Sequence, residues 1–492
     1  MYIKRRLAAL VMLMPLLAAQ AAAQQYGSTD FHASGDPEAH ALFIRGLVML
    51  HNFEYEDARA VFRHARNLDP DFVMAYWGEA LTHEHPLWNQ QNLPAARAVL
   101  EQLAPTPEGR VERAQTEREK AYIRSVNILF GEGDARERDY AYSAALGTIS
   151  ETWPEDVDAR ALYALSVLTT SHDGRDFYKF MQAGAITEEL MDRAPRHPGV
   201  LHYNIHSYDD PVHAPLGRRA ADVYSEVAPA AVHALHMPSH IYFALGDYER
   251  AGHLNARSFE AALERIEEKN LSYNGQAYHS LSWLIYSRLQ EGRFDEARRL
   301  VGYAEQEWMQ ADTPTNRIGF ITCRSNYIID TQAWDDPLLD LEVSYDRVWP
   351  SAVAMDQYVM GMRALQQGDT GTARAIVDAF VNSPNPDSKN IRDAAPTVLK
   401  LLLEGRLVVA EGQREQGLAL MQQAVDLEQT LAPAIGPAMP QPAAEALADV
   451  YLEIGAPDQA RENYELSLTR AVKRRRSIEG LQTATVYASA TD

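Results

Sequence analysis

The feature that most constrains the fold is a fixed spacing of small and large residues that recurs along the chain. Small residues let two antiparallel helices approach, large residues fill the space between them, and a proline ends the second helix. The spacing therefore predicts an all-α chain built from helix pairs. Four segments carry the pattern: Gly46, Met49, Ala58, Phe62 and Ala65, closed by Pro70; Gly361, Ala364, Ala373, Val377 and Phe380; Gly405, Val408, Gly417, Met421 and Ala424; and Ala448, Tyr451, Ala460, Tyr464 and Ser467.

These offsets resemble the tetratricopeptide repeat (TPR), a helix-turn-helix unit of about 34 residues. The clearest copies are GLVMLHNFEYEDARAVFRHARNLDP (46–70), WLIYSRLQEGRFDEARRLV (283–301) and ADVYLEIGAPDQARENYELSL (448–468). The resemblance, to exported bacterial-type TPR proteins without a specific subfamily, implies a right-handed superhelical α-solenoid of antiparallel helix pairs. It also implies a concave groove, lined by the first helix of each pair, that holds a protein or peptide partner.

The N-terminus has the composition of a secretory signal peptide. Lys4, Arg5 and Arg6 precede a charge-free apolar run over 7–19, and small residues follow at 21–23. We therefore expect cleavage near Gln24, export across the inner membrane and a periplasmic location. The apolar run is shorter than the roughly 20 residues that span a bilayer, so no transmembrane segment is expected.

Composition shifts predict the organisation of the rest of the chain. The predicted segments are a signal peptide over 1–23, a flexible leader over 24–37, a histidine-rich TPR-like half over 38–310, an irregular connection over 311–350, C-terminal TPR-like repeats over 351–481 and a flexible tail over 482–492.

Charge and cysteine content exclude some classes of function. The formal net charge is −22, so nucleic acid, which needs a basic face, is not an expected partner. The one basic run, 473–476, is interpreted as a solvated helix end. Cys323 is the only cysteine, so the fold relies on packing without an internal disulfide.

Histidines carry the only pattern that suggests chemistry. All 16 lie at or before His279. His202 with His206, and His236 with His240, stand four residues apart, a spacing that places two imidazoles on one helix face. If the helices that carry them are neighbours, these four rings and His279 converge on one groove as ligands for a transition metal such as zinc, copper or iron.

Pro238 complicates the second pair. A proline inside a helix removes a hydrogen bond and clashes with the preceding turn. The segment is therefore either kinked, which re-aims both rings, or starts its helix at Pro238, which takes His236 off the shared face.

Two functions remain open from the sequence. In the first, the histidine-lined groove binds a protein or peptide partner, a small molecule or a metal ion. In the second, the His202, His206, His236 and His240 cluster holds the metal of a hydrolytic or oxidative enzyme, with Asp209 or Asp210 as a base. Further candidate groove residues are Tyr203, Asp209, Asp210, His83, His85 and His213. The competing interpretation is that these side chains cap helices or pack in the core.

Overall fold

A computed structural model describes residues 25–88, 90–272, 274–433, 436–437 and 439–491. The predicted signal peptide over 1–23 lies outside these residues. The chain divides into two compact units. Unit 1 contains the residues up to His172 together with Asp176–Tyr208 and Leu216–Pro238, and unit 2 contains Asp173–Arg175, Asp209–Pro215 and the chain from Ser239 onward.

Unit 1 is helical apart from one two-residue β-hairpin, Glu84–His85 (β1) with Gln90–Gln91 (β2), among its described residues. Its helices are α1 (Pro37–His51), α2 (Tyr55–Leu68), α3 (Val73–Leu81), α4 (Leu93–Leu103), α5 (Pro107–Arg113), α6 (Glu117–Leu129), α7 (Ala135–Thr152), α8 (Val157–Thr169), α9 (Phe177–Met191), α10 (Pro198–Tyr208), α11 (Ala214–Val227) and α12 (Val232–His236). A 3-10 turn, Pro86–Trp88, lies inside the hairpin loop.

Unit 2 continues in the same style. Its helices are α13 (Pro238–Ala244), α14 (Tyr248–Lys269), α15 (Gly275–Gln290), α16 (Phe294–Gln310), α17 (Pro314–Thr331), α18 (Pro350–Gln366), α19 (Thr370–Asp378), α20 (Ile391–Ala410), α21 (Arg414–Gln429), α22 (Ala443–Glu453), α23 (Pro457–Arg470) and α24 (Arg475–Thr491). A 3-10 turn spans Pro337–Asp340. None of the described helices is both long enough and apolar enough to cross a membrane.

The small residues of the repeat lie where paired helices approach most closely. A Cβ added at Gly46 of α1 would come within 2.7 Å of the Phe62 ring of α2. At Gly405 of α20 it would come within 2.4 Å of Met421 of α21. Both contacts join residues that the sequence pattern paired. The predicted all-α fold of antiparallel, TPR-like helix pairs is therefore confirmed.

The turns between paired helices use glycine in the left-handed conformation. Gly246, Gly292, Gly368, Gly412 and Gly455 all have φ between 67° and 89°, and in each case a helix begins two residues later. Glycine adopts this conformation without a Cβ penalty. In the first pair the equivalent residue is Phe53, with φ 59°. Phe53 therefore adopts a conformation that a side chain with a Cβ disfavours.

The segment 24–37, expected to be a flexible leader, is packed against unit 1 over its described part. Phe31 is buried, with ring centroids 5.3 Å from Phe43 and 5.4 Å from Tyr122. Asn52 donates a side-chain hydrogen bond of 2.8 Å to the carbonyl of Tyr26. The low apolar content of the segment did not indicate these contacts, because one aromatic side chain supplies most of the buried apolar surface.

Two other segments also differ from the sequence expectation. The stretch 311–350, expected to be irregular, contains the helix α17, whose first turn is capped by the Thr313 side chain and begins with Pro314. The stretch 482–492, expected to be a loose tail, belongs to α24 as far as Thr491. In the first stretch a capping threonine and a proline start the helix, and in the second Ala484 is the one buried side chain over 482–489.

The basic run at 473–476 is not a solvated helix end. Arg474 is fully buried and pairs with Asp330 and Glu445, each at 2.7 Å. Burial alone would depress the pKa of this guanidinium, but the two carboxylates hold that pKa above its ordinary value. This part of unit 2 is therefore organised around a buried ion network.

Candidate metal site in unit 1

Three histidines of unit 1 bring ring nitrogens together. His202 and His206 share one face of α10, with ring centroids 4.9 Å apart, as their i,i+4 spacing requires. His233 of α12 is the third member, and one nitrogen from each ring lies within 4.8 Å of the others. The Nε2 atoms of His202 and His233 are 3.1 Å apart. His202 is buried, while His206 and His233 are half-buried.

Hydrogen bonding fixes the tautomer of His202. Its Nδ1 lies 2.7 Å from the backbone carbonyl oxygen of His51, which only accepts, so Nδ1 carries the proton and donates. In the neutral ring, Nε2 is then the nitrogen with the lone pair. This pattern, one ring nitrogen tied to a carbonyl and the other presented as a donor atom, is typical of metal-binding histidines.

A second cluster, His51, Asp158 and His197, is equally compact but has different chemistry. Both Nε2 atoms face one oxygen of Asp158, at 3.0 Å and 3.1 Å. A carboxylate only accepts, so both nitrogens carry protons. The remaining Nδ1 atoms accept from the Tyr203 hydroxyl at 2.9 Å and the Val200 N–H at 3.3 Å. No lone pair in this set points at a shared position, so these histidines support the fold.

Asp158 is charged in this buried setting because of its partners. Burial alone would raise the pKa of the carboxyl group, but the His197 and His51 N–H groups hold the pKa below its usual value. Burial lowers the pKa of His51, so the ring is neutral. The result is one ionised carboxylate that accepts from two imidazole N–H groups.

The turn between α1 and α2 supports the three-histidine cluster. The Phe53 ring contacts His202 at 4.3 Å and His233 at 5.4 Å between centroids. Glu54 accepts from the backbone N–H of His233 at 3.4 Å, and Asn52 accepts from the Tyr224 hydroxyl at 2.7 Å. Tyr224 in turn stacks on His202 with centroids 5.6 Å apart. Three consecutive residues therefore position the rings and supply a nearby carboxylate.

Pro238 marks a helix boundary between the two histidines of the predicted second pair. Helix α12 ends at His236, and α13 starts at Pro238, so His236 and His240 do not share one continuous helix face. His236 is buried, with its ring centroid 6.2 Å from that of His233. The expected i,i+4 geometry therefore holds for His202 and His206, while a helix boundary separates His236 from His240, whose part in a metal site stays a prediction.

His240 and His279 lie in unit 2. His240 donates from Nδ1 to Asp209 at 2.9 Å and stacks on Trp283 at 4.6 Å between centroids. His279 of α15 lies at 5.6 Å from the same indole. Burial, with a contribution from His240, lowers the pKa of His279 to about 3. Both rings are therefore held in an aromatic setting that favours the neutral form of His279.

The predicted acidic pair forms an ion network in unit 2. Arg175 contacts Asp209 at 2.6 Å and Asp210 at 3.2 Å, and His213 contacts Asp210 at 2.8 Å. Asp209 and His240 also line a recess of about 720 Å³. Because Arg175 already compensates their charge, the two aspartates are placed for orienting His240 and His213 more than for acting as free bases.

The other predicted groove residues of unit 1 are Tyr203, His83 and His85, and of these Tyr203 lies beside the cluster, with its ring centroid 5.3 Å from that of His202. Tyr203 is buried and its hydroxyl donates to His51, which is a structural contact. His85 stacks on Tyr55 with centroids 4.1 Å apart. Burial, followed by Arg59 and its neighbour Arg63, lowers the pKa of His83 to about 4.

Sequence reasoning missed His233 and Phe53. His233 precedes His236 by three residues in the motif HALHMPSH, whereas the predicted histidine pairs are spaced by four. The signal for Phe53 was present in the repeat itself, because Phe53 occupies the position that glycine holds in five other turns.

Comparisons with known proteins give likenesses of the fold alone. Similar solved structures include the APC/C hetero-tetramer Cut9–Hcn1, 15% identical over 96% of this chain and 81% of that chain, with a TM-score of 0.39. Yeast Tom70 is 11% identical over 92% of this chain and 96% of that chain, with a TM-score of 0.35. The P58(IPK) TPR domain is 11% identical over 92% and 99%, with a TM-score of 0.24.

The fold is that of TPR-type helix pairs. This conclusion rests on the chain's own hairpins, since identities and TM-scores at this level carry no argument about function. No sequence-family model matches the chain. No curated protein matches it either.

Proposed function

We propose that this chain binds one first-row transition-metal ion through His202, His206 and His233 of unit 1. The observation that carries the proposal is the convergence of three ring nitrogens within 4.8 Å. Zinc–nitrogen bonds of about 2.0–2.1 Å at tetrahedral angles put ligand nitrogens about 3.3 Å apart. The Nε2 atoms of His202 and His233 are already 3.1 Å apart, so small ring rotations would suffice.

Metal binding requires one exchange of protons. Without an ion, the Nε2–H of His233 donates to the Nε2 lone pair of His202. A metal replaces that proton, and His233 then carries its proton on Nδ1. The cluster therefore shifts from a hydrogen-bonded pair to a ligand set without moving α10 or α12.

Three nitrogens leave one coordination position for water or a small ligand. That count is the one that catalytic zinc sites use, whereas structural sites use four protein ligands. Metal-dependent hydrolysis is accordingly the second candidate function. It is tested by hydrolysis of an activated ester, 4-nitrophenyl acetate, with and without added Zn²⁺.

Metal titration of the purified full chain tests the primary proposal. After removal of metal with EDTA, calorimetry with Zn²⁺ and visible absorption with Co²⁺ should show an ion bound with a tetrahedral ligand field. His206→Ala and His233→Ala should each weaken the affinity at least 10-fold. His64→Ala, which changes an exposed histidine of α2, should leave it unchanged. The proposal fails if the wild-type chain binds no metal, or if all three variants bind it equally.

A further inference from the structure

Unit 1 contains an apolar recess that neither the histidine cluster nor the fold explains. Its volume, including the open space at its mouth, is about 420 Å³. Five of the residues that line it are leucines, namely Leu50, Leu81, Leu129, Leu162 and Leu165. An apolar wall of this kind favours an apolar occupant, because burying apolar surface is the main source of binding energy.

A small number of polar groups interrupt this wall. The hydroxyl oxygen of Tyr55 is buried and has no hydrogen-bond partner among the residues that the structure describes. The hydroxyl of Tyr203 is already engaged with His51, and that of Ser166 donates to a backbone carbonyl. Buried hydroxyls nearly always have a hydrogen-bond partner, so an occupant of the recess is expected to supply one to the Tyr55 hydroxyl.

Charge excludes an anionic occupant. Glu84 lines the recess, is 9% exposed and accepts from the Gln91 side-chain amide at 2.6 Å. Burial raises the pKa of this carboxyl group to about 7. No lysine or arginine belongs to the described residues that line the recess. An anion would meet this carboxylate without a compensating cation.

Phe53 is one of the residues that line the recess. Its ring lines the wall and also packs on Tyr55, with centroids 5.2 Å apart. The residue adopts φ 59°, a conformation that is strained for a bulky side chain. Strain of this kind is concentrated at binding sites and ligand clamps, where the surrounding structure maintains it.

We infer that this recess binds a small, uncharged and largely apolar molecule that carries one hydrogen-bond acceptor, such as a carbonyl, and that the Tyr55 hydroxyl donates to that acceptor. The inference does not depend on a metal at the histidines. It assigns the recess a ligand class from three observations on the described part of the chain, namely the leucines of the lining, the buried Tyr55 hydroxyl without a partner and the absence of a lining cation.

Two probes that differ in one group test the inference on the EDTA-treated full chain. Acetophenone carries the carbonyl, and ethylbenzene is its hydrocarbon counterpart. Calorimetry or saturation-transfer NMR should show acetophenone binding about three- to tenfold more tightly than ethylbenzene, the range that one hydrogen bond provides. Tyr55→Phe should remove this preference and leave ethylbenzene binding unchanged.

Two further variants locate the site. Leu165→Trp fills the recess and should abolish binding of both probes, while circular dichroism confirms that the helices remain. Tyr178→Phe, at a tyrosine that is 80% exposed, should leave the preference intact. The inference is overturned if neither probe binds, if Tyr55→Phe keeps the preference, or if the filled variant still binds. Because chelator is present throughout, none of these results depends on the proposed metal.

Discussion

Phe53 and His202 meet edge to face, with ring centroids 4.3 Å apart and ring planes at 64°. This contact exists because Phe53 adopts φ 59° in the turn between α1 and α2. Glycine occupies the same turn position in five later helix pairs, whereas the first pair has phenylalanine there. This phenylalanine places an aromatic ring against both the histidine cluster and the apolar recess.

Substitution at Phe53 separates strain from packing. Both Phe53→Ala and Phe53→Gly remove a buried ring, a loss of about 3–5 kcal/mol for a large aromatic residue. Only glycine also relieves the left-handed conformation, which costs an L-residue about 1–2 kcal/mol. We therefore expect Phe53→Gly to be the more stable of the two by about 1 kcal/mol in urea denaturation, the reverse of their usual order in a helix.

A matched substitution measures the strain alone. Gly412 has φ 89°, and a Cβ added there meets no atom within 4 Å. Gly412→Ala should therefore destabilise the chain by about 1 kcal/mol without any packing change. If Gly412→Ala were neutral, or Phe53→Ala more stable than Phe53→Gly, the left-handed turn would not be a source of strain.

Glu84 should make the folded chain less stable as the pH rises. Burial raises its folded-state pKa to about 7, while the hydrogen bond from Gln91 lowers it, Asp139 raises it and Arg138 lowers it. The folded chain thus holds the proton more tightly than the unfolded chain does. The stability that this group contributes is complete below pH 4.5 and is lost as the pH rises through 7.

Glu84→Gln should remove that dependence. A shift of this size corresponds to about 3 kcal/mol between the two protonation states. We expect the wild-type chain to lose up to about this amount relative to Glu84→Gln between pH 5 and pH 8 in urea denaturation. Parallel stability curves for the two proteins over this range would show that Glu84 does not titrate there.

Arg474 is expected to be critical for unit 2. It is buried between Asp330 and Glu445, so Arg474→Met leaves two buried carboxylates without their main cation. Removing one partner from a buried ion network typically costs 3–5 kcal/mol. The variant should unfold at a clearly lower temperature by calorimetry.

An exposed arginine provides the comparison. Arg461 pairs with Asp458 at 3.6 Å, and both side chains are exposed. Such pairs contribute about 0–1 kcal/mol, so Arg461→Met should leave the melting temperature nearly unchanged. Equal effects of the two substitutions would contradict a special role for the buried network.

The part of the site that the sequence predicted is the part that local geometry determines. Residues four positions apart on a helix share one face, so His202 and His206 were identifiable as a pair without any tertiary information. His233 reaches them through the packing of α12 near α10, which no local spacing encodes. Pro238 begins the helix α13, which was one of the two alternatives that the sequence left open for the second pair.

The fold was predictable for a similar reason. The offsets between Gly46 and Phe62, or Gly405 and Met421, are set by two helices joined through a short turn. Segments that lack the offsets were less predictable, since the burial of Phe31 depends on the surface that it meets. For α17 the local signal was available in the threonine cap followed by proline, which commonly starts a helix.

Asp158 should make unit 1 sensitive to acid. It accepts from His51 at 3.0 Å, from His197 at 3.1 Å and from the Thr29 hydroxyl at 2.5 Å. Its folded-state pKa is lowered, so the stability that the ionised carboxylate contributes is present above its unfolded-state pKa, near 4, and is lost as the pH falls. Burial also lowers the pKa of His51, so acid favours the unfolded chain from about pH 6.5 downward.

Asp158→Asn tests this arrangement. Asparagine keeps one accepting oxygen, which can face both imidazole N–H groups, but this oxygen carries no charge, and an N–H₂ group replaces the oxygen that accepts from Thr29. Hydrogen bonds to a charged group contribute about 1.5–3 kcal/mol, and we expect a loss of that order at pH 7 by urea denaturation. The difference from wild type should shrink as the pH falls below 4, because the wild-type carboxylate then loses its advantage over the amide. Asp71→Asn, at an exposed aspartate paired with Arg113, should change stability by less than about 1 kcal/mol across the same range. A difference that stays constant with pH would mean that Asp158 acts through its shape and not through its charge.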